Sequence, residues 1–137
     1  MRQGGYEEMG MELLFRALAD RTRLRLLNLM SGQEVCVCYF IEILGLPQST
    51  ISRHLAYMRR AGLVQVRREG KWMHYRLAEP KQQTAKGIIR EVLNSLQSDR
   101  EMERDRAKLS RACCTPQKFF RLEGAPLPTT LTGAQRT

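Results

Sequence analysis

The stretch GLPQSTISRHLAYMRRAGLVQVRREGKWMHYRL, residues 45–77, decides the fold. Gly45-Leu46-Pro47 breaks the chain. After it Ile51, Leu55 and Met58 recur at i, i+4 and i+7, the spacing of one helix face, until Gly62 ends the run. Val64 and Val66 then alternate with polar partners, a turn is signalled at Glu69-Gly70, and alternation resumes through Trp72 and Tyr75, which predicts a β-hairpin. A helix ending at the break, a second rich in short polar and basic side chains, and a basic hairpin directly behind it follow the order of a winged helix-turn-helix.

Upstream, Met9, Leu13, Leu14, Ala17 and Leu18 fall on one side of a 3.6-residue period, and Asp20 is an N-cap for a second helix. That helix buries Leu24, Leu26, Leu27 and Met30 and ends at Ser31-Gly32. EVCVCYFIEIL, residues 34–44, reads two ways: its first half is β-branched and apolar, while Tyr39 to Leu44 suits a helix that stops at Gly45. Downstream, Ala85, Ile88, Ile89, Val92, Leu93 and Leu96 form an apolar stripe suited to a second subunit. Ser98 with Glu101 has the form of a capping box for a charged helix from Asp99 to about Ala112; whether the two helices are one is left open. Residues 115–137 hold three prolines, two glycines and no period. The expected class is therefore α+β, mainly α: a winged helix-turn-helix with a two-stranded hairpin wing and terminal dimerisation helices. Residues 1–112 form the DNA-binding and dimerisation domain, and residues 113–137 a Cys-Cys segment with a flexible tail.

With 137 residues the chain is one domain, too short for a large multidomain enzyme. Lys and Arg number 23 against 14 Asp and Glu, a net charge of +9, which favours a polyanionic partner. The charge is concentrated: Arg53, Arg59, Arg60, Arg67, Arg68, Lys71 and Arg76 stand against Glu69 alone on the recognition helix and hairpin, an electrostatic footprint for phosphates. Gln48, Ser49, Thr50, Ser52, Arg53 and His54 occupy the first two turns of the recognition helix, where base edges and flanking phosphates are met. Arg67, Arg68, Lys71 and His74 complete the candidate DNA-binding set from the wing. Neither His54 nor His74 has a convincing ligand set for zinc, so a DNA contact or a surface position is expected of each. Trp72 and Tyr75 are expected to pack the wing. The N-terminus carries Gly4, Gly5, Glu7 and Glu8 where a secretory signal needs an apolar run, so a cytoplasmic protein is expected.

Four segments in this order, ALADRTRLRLLNLM (17–30), VCVC (35–38), QSTISRHLAYMRRAGLV (48–64) and REGKWMHYRL (68–77), resemble the arsenical-resistance branch of the ArsR/SmtB metalloregulators. The resemblance covers residues 11–97. It implies a homodimeric repressor, dimerised through its first and late helices, that leaves an inverted-repeat operator when an inducer binds. VCVC stands where those repressors carry an arsenite-binding Cys-Val-Cys. They often place a third Cys three residues beyond the second, and here that position is Ile41.

The four cysteines fall as two tight pairs, Cys36/Cys38 and Cys113/Cys114, rather than as a disulfide framework. Residues i and i+2 share a face in a strand but stand about 200° apart in a helix, so a centre held by both Cys36 and Cys38 selects a non-helical backbone. Closing the pair is then expected to unwind or tilt the helix that supports the recognition helix. Soft thiolates suit As(III) or Sb(III) as inducer, with no prosthetic group, better than they suit zinc without further ligands. The third bond is left to water, a small thiol, or Cys113/Cys114 of either subunit, and that second pair also stands as a possible site of its own. A thiol-redox-responsive or methylarsenite-selective repressor is the alternative. An oxidoreductase would need Cys-x-x-Cys in a βαβ setting or an anion-cradling loop, which the sequence lacks.

Overall fold

A computed structural model describes the backbone of residues 5–114 and 124–131 and the side chains of residues 10–112 and 124–131. Helix α1, Gly5–Leu18, leads into α2, Arg21–Leu29. Asp20 is the N-cap of α2: its backbone is extended and its carboxylate accepts from Arg23 N at 3.0 Å. Leu26, Leu27, Leu29 and Met30 are fully buried, whereas Leu24 is only half-buried.

Both readings of residues 34–44 hold in part. Strand β1, Gln33–Cys36, passes directly into helix α3, Val37–Leu44. Gly45 closes α3 at φ 67, donating its N–H to Ile41 O at 3.0 Å, a left-handed position that favours glycine. Helix α4, Gln48–Arg60, starts behind Pro47, and Ile51, Leu55 and Met58 are fully buried as their spacing predicts. With Tyr39, Phe40 and Ile43 of α3 and the leucines of α2 they make the core.

The wing is the antiparallel hairpin of β2, Val64–Glu69, and β3, Trp72–Leu77, with Glu69 opposite Trp72. Its two-residue turn is Gly70-Lys71, one residue later than the sequence suggests; Gly70 takes φ 60 at the first central position, as a II′ turn requires. Val35 and Cys36 of β1 pair with Tyr75 and His74 of β3, so the wing is continuous with the strand that carries the first cysteine.

Helices α5, Gln83–Leu96, and α6, Arg100–Cys114, are separate. The cap of α6 is Asp99, whose carboxylate accepts from Met102 N at 3.1 Å; Ser98 Oγ instead reaches back to Ser95 O. The apolar stripe of α5 is partly used within the chain, with Ile89 and Leu96 buried and Ala85, Ile88, Val92 and Leu93 packed half-exposed on the core. On α1, Phe15 is 52% exposed. Most of the expected C-terminal tail lies outside the described residues; within residues 124–131, strand β4, Thr129–Thr130, pairs with Glu34 and Gln33 on the free edge of β1. Leu131 donates to Gly32 O at 3.1 Å and is itself buried. Among the described residues no helix is long and apolar enough to cross a membrane.

Candidate DNA interface and thiol site

Of the residues expected at DNA, Gln48, Ser49, Ser52 and Arg53 are exposed along the first two turns of α4, and Thr50 is half-exposed. His54 is drawn inward. Its Nδ1 lies 3.2 Å from Arg23 Nη1 and 4.0 Å from Asp20 Oδ1, beside the cap of α2. On the wing Arg67, Arg68 and Lys71 are exposed, with Arg68 Nε donating to Gly70 O across the turn at 3.0 Å and Lys71 Nζ 4.9 Å above the Trp72 ring. Trp72 and Tyr75 pack against the core, Tyr75 tilted on Phe40 at 6.3 Å.

His74 departs from the expectation of an exposed position. It is 4% exposed, and its Nε2 sits 3.0 Å from Glu69 Oε1, because Cys36 of β1 pairs across from it and makes β3 a central strand. A buried carboxylate on β1 was missed altogether. Glu34 is 5% exposed, and its Oε1 accepts from Arg67 Nε at 2.9 Å and Nη2 at 2.8 Å, which raises the guanidinium pKa. A carboxylate at the start of an otherwise apolar strand was the available signal. This pair joins the cysteine strand to the wing.

A second cluster escaped the sequence reading. Arg23 and Arg60 both lie over the Tyr57 ring, at 4.4 and 5.0 Å, and Arg23 also donates to Ala17 O and Arg16 O at the end of α1. Arg23 thereby ties α1 and α2 to the recognition helix.

Cys36 and Cys38 straddle the junction of β1 and α3. Cys36 is extended, at φ −69 and ψ 142, and occupies the N-cap position, while Cys38 stands in the first helical turn. Their Sγ atoms are 3.1 Å apart with Cys38 donating. In the unliganded protein the sulfurs converge while α3 stays intact, because Cys36 is extended and only Cys38 of the two is helical. The Cys38 S–H bond pulls the Cys36 pKa down to about 7, helped against burial by backbone N–H groups of Cys38, Met73 and Val37. Cys38 is pushed up by the same bond and by burial. Near neutral pH Cys36 is therefore divided between thiol and thiolate, and the Cys38 S–H holds the thiolate form.

Cys36 pairs with His74 of β3, so the residue that opens α3 also borders the wing. A structural zinc site takes four ligands, of which this pair would supply two. No third His, Cys, Asp or Glu joins it among the described residues. Ile41 is half-buried, one turn further along α3. The backbone of Cys113 and Cys114 ends α6, and their side chains lie outside the described residues.

Residues 20–66, from the cap of α2 to the first wing strand, match the family described as bacterial regulatory protein, arsR family. The arsenic resistance transcriptional regulator ArsR1 of Pseudomonas putida is 40% identical over 86 residues, which are 62% of this chain and 67% of that protein. The chain belongs to the ArsR family. An ArsR-family relative from Escherichia coli, the arsenical resistance operon repressor, is 50% identical over 66 residues, 47% of this chain and 56% of that one. Among solved structures, reduced HlyU from Vibrio cholerae superposes with a TM-score of 0.56 at 30% identity, covering 72% of this chain and all of HlyU. ArsR-family membership and the winged-helix fold make this protein a DNA-binding transcriptional regulator rather than an enzyme.

Proposed function

We propose that this ArsR-family protein is an arsenite- or antimonite-responsive repressor, which holds an inverted-repeat operator as a homodimer and releases it when As(III) or Sb(III) closes on Cys36 and Cys38. The observation that carries this reading is the pair of sulfurs 3.1 Å apart at the start of α3, the first of them on the strand that pairs with the wing. Each As–S bond forms as a hydroxyl leaves arsenous acid, taking up the thiol proton or departing as hydroxide from the thiolate. Two such bonds use two of the three positions on arsenic. The third falls to water, a small thiol, or Cys113 or Cys114 of this or a second subunit.

The coupling runs through β1. Cys36 both opens α3 and pairs with His74 of the wing strand, so a metalloid on its sulfur disturbs the helix start and the wing strand together. Glu34 passes the same displacement to Arg67. A roughly 100-fold loss of operator affinity needs about 2.7 kcal/mol of differential binding. Operator contacts are assigned to Gln48, Ser49, Thr50, Ser52 and Arg53 in the groove, and Arg67, Arg68 and Lys71 on phosphates. Phe15 of α1 and the half-exposed stripe of α5 are the dimer faces.

In an anisotropy titration with operator duplex, Cys36→Ser and Cys38→Ser are expected to bind as tightly as wild type but to stay bound when arsenite is added. Normal dissociation of both variants would refute the reading. The absence of a third thiolate on α3, where Ile41 stands, favours a second reading, selectivity for a methylarsenite, whose carbon fills one position and leaves two for sulfur. Parallel titrations with the two arsenicals separate them by which one releases DNA at the lower concentration.

A further inference from the structure

Helix α6 reads in sequence as mixed charge, and the structure sorts that charge by sign. Its buried face is made of Met102, Asp105, Leu109 and Ala112, packed on α2 and α3. Two of its acids are used there: Asp105 takes Arg25 Nε and Nη2 at 2.8 and 3.0 Å, and Glu101 takes Arg21 Nε at 2.8 Å. Arg106 is turned inward to Asn28, Leu96 O and Gln97 O. Arg100, Arg104, Lys108 and Arg111 remain on the outside, all exposed. At about 100° per residue they fall within an arc of about 80° centred about 120° round the helix from the buried face, and at about 1.5 Å per residue they form a row about 16 Å long. Glu103 is the one exposed acid of this helix among the described residues. Arg100, Arg104 and Lys108 make no ion pair among the described residues.

We propose that the outer face of α6 is a second duplex-binding surface, which takes the phosphate backbone of DNA flanking the operator core. Its helix packs on α2 and α3, the two helices before the recognition helix, so the row lies beside the groove-reading unit rather than within it. A duplex offers about one negative charge per 1.7 Å of axis, a complement to a rigid cationic row that carries no sequence information. The inference rests on the DNA-binding reading and is independent of the inducer.

The test uses the full chain, an operator recovered by selection from random duplexes, and that operator presented at about 25 and about 70 base pairs. On the long duplex the triple variant Arg100→Gln, Arg104→Gln, Lys108→Gln is expected to bind about tenfold more weakly, with a log–log salt slope shallower by about 2–3, at about 0.9 for each phosphate no longer neutralised. On the short duplex it is expected to match wild type. A variant with Arg100→Lys and Arg104→Lys keeps the wild-type slope, because the surface reads charge alone. Circular dichroism checks the fold, which these outward-facing residues do not hold. Equal slopes for triple variant and wild type on the long duplex overturn the proposal and leave the row to an acidic protein or to solvent. Equal losses on both duplexes overturn it too, since the row would then belong to the operator core. Failure of the wild type to select any duplex sinks the DNA-binding reading itself.

Discussion

Cys36 shows how little separates a buried thiol from a receptor for a soft electrophile. Alone in this core it would be pushed up by burial, but a donating thiol and three backbone N–H groups bring it to about 7. The thiolate is the nucleophile, and below its pKa its fraction rises tenfold with each pH unit. The rate of arsenite uptake is therefore expected to climb from about pH 5.5 to about pH 7 and level off above, where Cys36 is ionised. Trp72, the single tryptophan, neighbours Met73 on β3 and offers a stopped-flow fluorescence signal. A rate unchanged across that range would remove Cys36 as the point of attack. The residue types and their spacing were legible in the sequence. Their convergence was not, because it depends on a backbone that changes from strand to helix between them.

At the level of elements, the recognition helix and the hairpin were readable because each carries its own period and its own stop: Ile51, Leu55 and Met58 before Gly62, then alternation around Gly70. What joins them to the cysteine strand has no period. Arg67 looks like any wing cation, yet it neutralises Glu34, a carboxylate with 6% side-chain exposure. Arg67→Ala strands that carboxylate and is expected to cost about 1–3 kcal/mol in urea unfolding, whereas Arg68→Ala, which loses a bond to an exposed turn, stays within about 0.5 kcal/mol. Equal small effects would mean that the pair is not structural. The same limit misassigned His74: alternation gives its face on the hairpin, but only the pairing of β1 to β3 buries it.

At the scale of the whole molecule, α6 packs on α2 and α3, and β4 covers the edge of β1. Arg21 holds the Asp99 and Glu101 carboxyls below their ordinary values of 3.8 and 4.5, and both sit at the start of α6. Carboxyls more acidic in the folded than in the unfolded chain add stability above their ordinary pKa and lose it as pH falls through and below those values. Thermal midpoints are expected to drop more steeply below about pH 4.5 in the wild type than in Arg21→Ala, and parallel curves would show that this clasp does not matter. Asp99 illustrates the limit of local motif reading: the Ser98–Glu101 box was legible, but Glu101 is taken by Arg21, some 80 residues away in sequence, and the cap passes to Asp99.

By itself the sequence determined the winged helix, its basic face and the presence of a soft two-thiol motif, because those follow from side-chain period, net charge and residue type within short windows. Only the tertiary structure decided that the thiols meet at an intact helix start, that Glu34 and Arg67 tie their strand to the wing, that Thr129–Thr130 cover the edge of β1, and that α6 turns Glu101 and Asp105 in and Arg100, Arg104 and Lys108 out. Each of those is a choice of partner between residues distant in sequence or differing in backbone state, and packing rather than periodicity makes that choice.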